Sequence, residues 1–67
     1  MMKVALKGHG HDVVVELEAG STIKQALDKA GIHPSTVLVS HEDNILPHTT
    51  VLNGDVEFEL IIVSSGG

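Results

Sequence analysis

The sequence predicts one α+β domain, in which a single main helix packs on one face of a mixed sheet of four or five strands. Three observations predict it. Segments near the start and near the end of the chain alternate apolar and polar residues, as half-buried strands do. Between them, apolar residues recur at helical spacing over about ten residues. Two short β-branched or apolar segments follow that helix, and one helix on one sheet buries both apolar faces.

The first two predicted strands form a hairpin. Alternation predicts a strand from Met2 to Lys7 and another from Val13 to Glu18. Gly8 and Gly10 interrupt the pattern between them, as in a hairpin turn. Because the connection is short, the two strands are expected to pair antiparallel.

The helix is predicted to begin after Ser21 and to end at Gly31. The Ser21 hydroxyl can accept a hydrogen bond from a free amide of the first turn, which makes Ser21 the expected N-cap. Gly31 can adopt the left-handed conformation that ends helices, and Pro34 prevents continuation. The apolar face contains Ile23, Ala26, Leu27 and Ala30, and the solvent face contains Lys24, Gln25, Asp28 and Lys29.

Three more strands are expected after the helix. They run from Thr36 to Ser40, briefly over Ile45 and Leu46, and from Val56 to Val63 after a turn at residues 53–55. We assign residues 1–63 to the folded domain and residues 64–67 to a flexible tail, which has nothing to bury. The expected core residues are Val4, Leu6, Val15, Ile23, Leu27, Phe58 and Leu60.

The composition limits the classes of partner that this protein is expected to bind. The net charge is −5, there is no arginine, and Phe58 is the only aromatic residue. A nucleic-acid partner is therefore not expected, because phosphates repel such a surface and bases need aromatic platforms. A basic protein partner suits the charge. No apolar run approaches the roughly 20 residues of a membrane span and charge interrupts the N-terminus early, so we expect a cytoplasmic protein without a membrane partner.

The sequence contains no recognisable set of catalytic residues. It has no cysteine, no glycine-rich phosphate loop and no serine in a nucleophile-elbow setting, so neither an enzyme nor a bound cofactor is expected. The five histidines have no spacing typical of a zinc site. We expect all five to be solvent-exposed and to bind no metal.

The Gly66-Gly67 terminus is the sharpest chemical feature. Glycine has no Cβ, so a terminal pair can enter a channel too narrow for side chains, and its carboxylate is sterically open. Once joined to AMP, such a carboxylate can be attacked by sulfide, a thiol or an amine. The alternative is that small terminal residues are merely frayed.

Two segments resemble a known family. Leu52-Asn53-Gly54-Asp55-Val56, with the long apolar strand and the Val63-Ser64-Ser65-Gly66-Gly67 end, is similar to the prokaryotic ubiquitin-like proteins. These include the small subunit of molybdopterin synthase, the thiamine sulfur carrier and the small archaeal modifier proteins. Ala30 to Pro34, followed by Val37-Leu38-Val39, also resembles them. The chain departs from them in an extra serine before the glycines and in Asp43-Asn44-Ile45, where many relatives have an Asn-Gly turn.

The resemblance implies a ubiquitin-like β-grasp fold, in which the first and last strands lie parallel at the centre of the sheet. It also implies adenylation of Gly67 by an activating enzyme. The product is either a thiocarboxylate, delivered to a sulfur-acceptor enzyme, or an isopeptide bond to a lysine of a target protein. The sequence does not separate these two roles, and a third possibility is an interaction module with an inert tail.

Ile61 and Val63 are candidates for docking the activating enzyme. Both fall on the nominally polar face of the last strand, beside the tail. Exposed branched apolar residues next to a functional segment suggest a contact surface. The alternative is that the short fourth strand or a loop covers them.

Overall fold

The computed structural model describes residues 1–63 and contains five strands and one α-helix in that part of the chain. The strands are β1 (Met2–Gly8), β2 (His11–Leu17), β3 (Val37–His41), β4 (Asn44–Leu46) and β5 (Val56–Ile62), and the helix is α1 (Ile23–Ala30). A 3₁₀ turn, Pro34–Thr36, precedes β3. The predicted α+β architecture is confirmed.

The sheet is mixed, with strand order β2-β1-β5-β3-β4. β1 and β5 are parallel at its centre, and every other neighbouring pair is antiparallel. This central parallel pair is the arrangement expected of a β-grasp domain. Gly8 allows β1 to approach β5 closely, because a Cβ at that position would lie 2.6 Å from the Leu60 carbonyl oxygen.

The core is assembled from one face of the sheet and the apolar face of α1. All seven predicted core residues are buried. The core also contains Met2, Leu17, Ala26, Ile32, Val37, Val39 and Leu52. Leu52 comes from the loop before β5, where its backbone exchanges hydrogen bonds of 2.8 and 2.7 Å with Gly20 and Ser21.

The N-cap of α1 is Thr22, so the assignment to Ser21 is wrong. The Thr22 hydroxyl accepts a hydrogen bond from the Gln25 amide at 3.4 Å, and the Gln25 side chain accepts one from the Thr22 amide at 2.8 Å. Ser21 cannot take this role because its carbonyl accepts from the Leu52 amide and its amide donates to Glu18. The predicted stop at Gly31 is confirmed, with φ of 79°.

Both hairpins turn more tightly than the sequence suggested. The β1–β2 turn is His9-Gly10, with φ of 48° and 84°, so β1 ends later and β2 begins earlier than predicted. In the β3–β4 hairpin the two central residues are Glu42 and Asp43, with φ of 51° and 67°. Positive φ at both positions matches the twist of paired strands. β4 therefore contains Asn44 as well as Ile45 and Leu46, the two residues predicted to form it.

Candidate functional site

The end of β5 is the point from which the chain leads to Gly66-Gly67. Because β1 and β5 are parallel, the β1–β2 turn lies at the same end of the sheet. The Val63 amide donates a 3.1 Å hydrogen bond to the Thr36 carbonyl, which ties the exit of β5 to the 3₁₀ turn. Gly66 and Gly67, and the predicted tail over residues 64–67, lie outside the described residues.

Ile61 and Val63 are half-buried, so they are less exposed than the sequence suggested. Ile61 lies on the outer face of the sheet, directly across from Leu38 of β3. Side chains paired in this way approach within about 5 Å, so each shields part of the other from solvent. Leu38 is 38% exposed, and the two residues together form an apolar patch beside the exit of β5.

Ile62 lies on the opposite face, the face of Phe58 and Leu60, and is 45% exposed. It is the last residue of β5 and pairs with Val37 at the end of the sheet, where the core layer no longer covers it. Apolar surface is thus accessible on both faces of the sheet at the exit of β5.

The outer face carries acidic residues next to this patch. Glu57 and Glu59 alternate with the buried residues of β5 and are both exposed. The Lys7 ammonium lies 3.8 Å from the Glu57 carboxylate, but the two side chains are 51% and 66% exposed, so the pair contributes little stability. The surface around the apolar patch is therefore predominantly negative.

The histidines are less uniform than expected. His9 and His33 are exposed, whereas His11, His41 and His48 are half-buried. The Nδ1 atom of His41 lies 3.2 Å from the Glu57 carbonyl oxygen, and its ring meets Phe58 edge-on at 5.7 Å. Within residues 1–63, no three histidine, aspartate or glutamate side chains are grouped so that they could hold a metal ion. Nor does any helix in that range have the length and apolar character of a membrane span.

Structural comparison identifies the fold. Caldiarchaeum subterraneum ubiquitin superposes with a TM-score of 0.72 at 18% sequence identity, over 98% of this chain and 98% of that one. The chain has the ubiquitin-like β-grasp fold. A crystal structure of ATBAG1 in complex with HSP70 also matches, with a TM-score of 0.70 at 15% identity. That match covers 92% of this chain, which spans only 40% of the ATBAG1 chain.

Sequence-based comparison adds no further relative. No protein-family profile matches the chain, and no curated protein matches it. The similarity to solved structures is below 25% identity and so describes the fold alone. Function has to be argued from the surface of the ubiquitin-like domain and from the chemistry of its terminus.

Proposed function

We propose that this protein is a small ubiquitin-like protein that an activating enzyme adenylates at Gly67. It then serves as a sulfur carrier, as a protein modifier, or as both. The observation that supports the proposal most strongly is the ubiquitin-like fold whose last strand ends at Ile62, a few residues before a Gly-Gly sequence. The protein is the substrate of the chemistry and not an enzyme, and it acts in the cytoplasm with ATP.

The proposed reaction uses only the terminal carboxylate. One carboxylate oxygen of Gly67 attacks the α-phosphate of ATP, and pyrophosphate leaves with the electrons of the broken phosphoanhydride bond. The resulting acyl adenylate is attacked at its carbonyl carbon, and AMP leaves. Sulfide, as the attacking group, gives a thiocarboxylate, whereas a lysine amine of a target protein gives an isopeptide bond and releases a proton.

The position of the apolar patch supports docking of the activating enzyme through Ile61 and Val63. Both residues lie at the end of β5, only a few residues in sequence before the carboxylate that the partner must activate. Leu38 enlarges the same surface. The acidic residues Glu57 and Glu59 beside it favour a basic partner.

Replacing both Ile61 and Val63 with serine is expected to weaken binding to the activating enzyme at least about tenfold, the loss typical of one strong contact residue. Titration calorimetry measures the affinity, and circular dichroism verifies that the variant is folded. Val14→Ser is the matched control, because Val14 is an apolar residue of the outer face, 59% exposed, on the distant strand β2. Equal affinity for the double variant and the parent would exclude Ile61 and Val63 from the contact.

Analysis of protein isolated from its native host tests the function itself. Replacing one carboxylate oxygen by sulfur adds about 16 Da to the intact mass, whereas conjugation leaves branched Gly-Gly remnants on lysines of digested target proteins. We expect at least one of these two products. Finding only the unmodified chain, under conditions where a spiked thiocarboxylate standard survives, would favour the alternative below.

A plain interaction module is the second candidate function. The ATBAG1 structure, which contains HSP70, shows that this fold occurs within a protein that assembles with another protein. In this alternative the same surfaces bind a partner and Gly67 is never activated. Loss of Gly66 and Gly67 would then leave function unchanged.

A further inference from the structure

A groove lies on the outer face of the sheet, between β1, β5, β3 and the β3–β4 turn. It has a volume of about 540 Å³ and is open to solvent. Its walls are the ends of β1 and β3, the β3–β4 turn and the middle of β5. It adjoins the Leu38–Ile61 pair, because Ser40 and Glu59 form the next outward-facing pair along β3 and β5.

Four carboxylates line the groove from two sides. Glu57 and Glu59 come from β5, and Glu42 and Asp43 come from the β3–β4 turn. All four residues are exposed, which leaves their carboxylates accessible to a ligand. Lys7 is the only lysine among the described lining residues, and it pairs with Glu57. The groove therefore has a strong surplus of negative charge.

Ser40 supplies a polar group inside the groove. The residue is only 6% exposed and is the one buried polar residue of the described domain. Ser40 faces the outer side of the sheet together with Glu59, and it lines the groove. Its hydroxyl is therefore a polar group that a ligand in the groove can contact.

We propose that this groove binds an arginine side chain of a partner protein. A guanidinium group has five donors in a planar fork, so it can bond to more than one acceptor of the groove at once. A lysine ammonium is a compact, strongly hydrated charge with three donors, and it satisfies fewer of these acceptors. The neighbouring Leu38–Ile61 pair places an apolar residue of the partner beside its arginine.

The arginine must come from another protein, because this chain contains none. The groove adjoins the surface proposed to dock the activating enzyme, and Glu57 and Glu59 belong to both. Arginine binding does not require adenylation of Gly67, so it can be tested whether or not that carboxylate is ever activated.

Two peptides test the proposal on the full ¹⁵N-labelled chain: acetyl-Gly-Arg-Gly-Leu-amide and its lysine counterpart. We expect the arginine peptide to shift the amide signals of Ser40, Asp43 and Glu59 and to bind at least about threefold more tightly than the lysine peptide, the effect of one additional hydrogen bond. Glu59→Gln should weaken arginine-peptide binding about threefold, and Ser40→Ala should weaken it about twofold. The matched control is Glu18→Gln, which removes one exposed charge outside the groove and should leave binding unchanged.

Four results would overturn the proposal. Shifts scattered over the whole acidic surface, or equal losses for Glu59→Gln and Glu18→Gln, would indicate general charge attraction. Equal affinity for the two peptides would remove the argument for a guanidinium group. Sedimentation that shows a dimer of the parent but a monomer of Glu59→Gln would assign the groove to a second copy of this chain.

Discussion

Replacing Leu27 with alanine is expected to lower the free energy of unfolding by about 2–5 kcal/mol. Leu27 is fully buried on the face of α1 that covers the sheet. A domain of 67 residues has only roughly 3–10 kcal/mol of stability at typical values per residue, so the change removes a large part of it. The effect is large because α1 is the helix that covers the sheet, and Leu27 is one of its three buried residues.

Urea titration of the parent and the variant measures this loss. Val51→Ala is the control, because Val51 is 54% exposed and its truncation should change stability by no more than about 0.5 kcal/mol. A loss below about 0.5 kcal/mol for Leu27→Ala would mean that α1 does not cover the sheet through this residue.

Much of the fold could be predicted from the sequence because the elements are strongly patterned. Val4 and Leu6 alternate with lysine or alanine, and Ile23 and Leu27 recur at helical spacing, so each element showed its buried face. Gly31 marked the end of the helix by its backbone freedom alone. These signals are local, and local signals can be read without the tertiary structure.

The incorrect predictions concern positions whose structure depends on tertiary contacts. Ser21 and Thr22 are both residue types that cap helices well. Thr22 is the N-cap in the structure because the Ser21 carbonyl accepts a hydrogen bond from the Leu52 amide of the loop preceding β5. Leu52 lies outside every alternating or helical apolar pattern, so the sequence did not predict that it is buried. The alternation of β5 could not show that Ile62 lies beyond the cover of the core.

The candidate site was predictable in part. Ile61 stood out because it broke the polar pattern of its strand, and Leu38 could have been found by the same reasoning, since Val37 and Val39 on either side point inward. The groove could not be predicted, because residues of β1, β3, β5 and a turn meet there only in three dimensions.

Deleting Gly66 and Gly67 is expected to reduce activation at least about 100-fold, because the reacting carboxylate no longer reaches the α-phosphate in the partner's site. Adding one residue after Gly67 should have a similar effect, since the original carboxylate becomes an amide. Gly67→Ala should be milder because it adds only a methyl group. All three variants should unfold within about 2 °C of the parent, because they change nothing in the described core.

ATP–pyrophosphate exchange with the cognate activating enzyme tests the central claim most directly, because it reports formation of the acyl adenylate itself. Exchange should be strong with the parent chain, reduced with Gly67→Ala, and near background with the deletion and extension variants. If the chain without Gly66 and Gly67 supports exchange as well as the parent, the carboxylate of Gly67 is not the group activated, and the account of this protein as an adenylated carrier or modifier is contradicted.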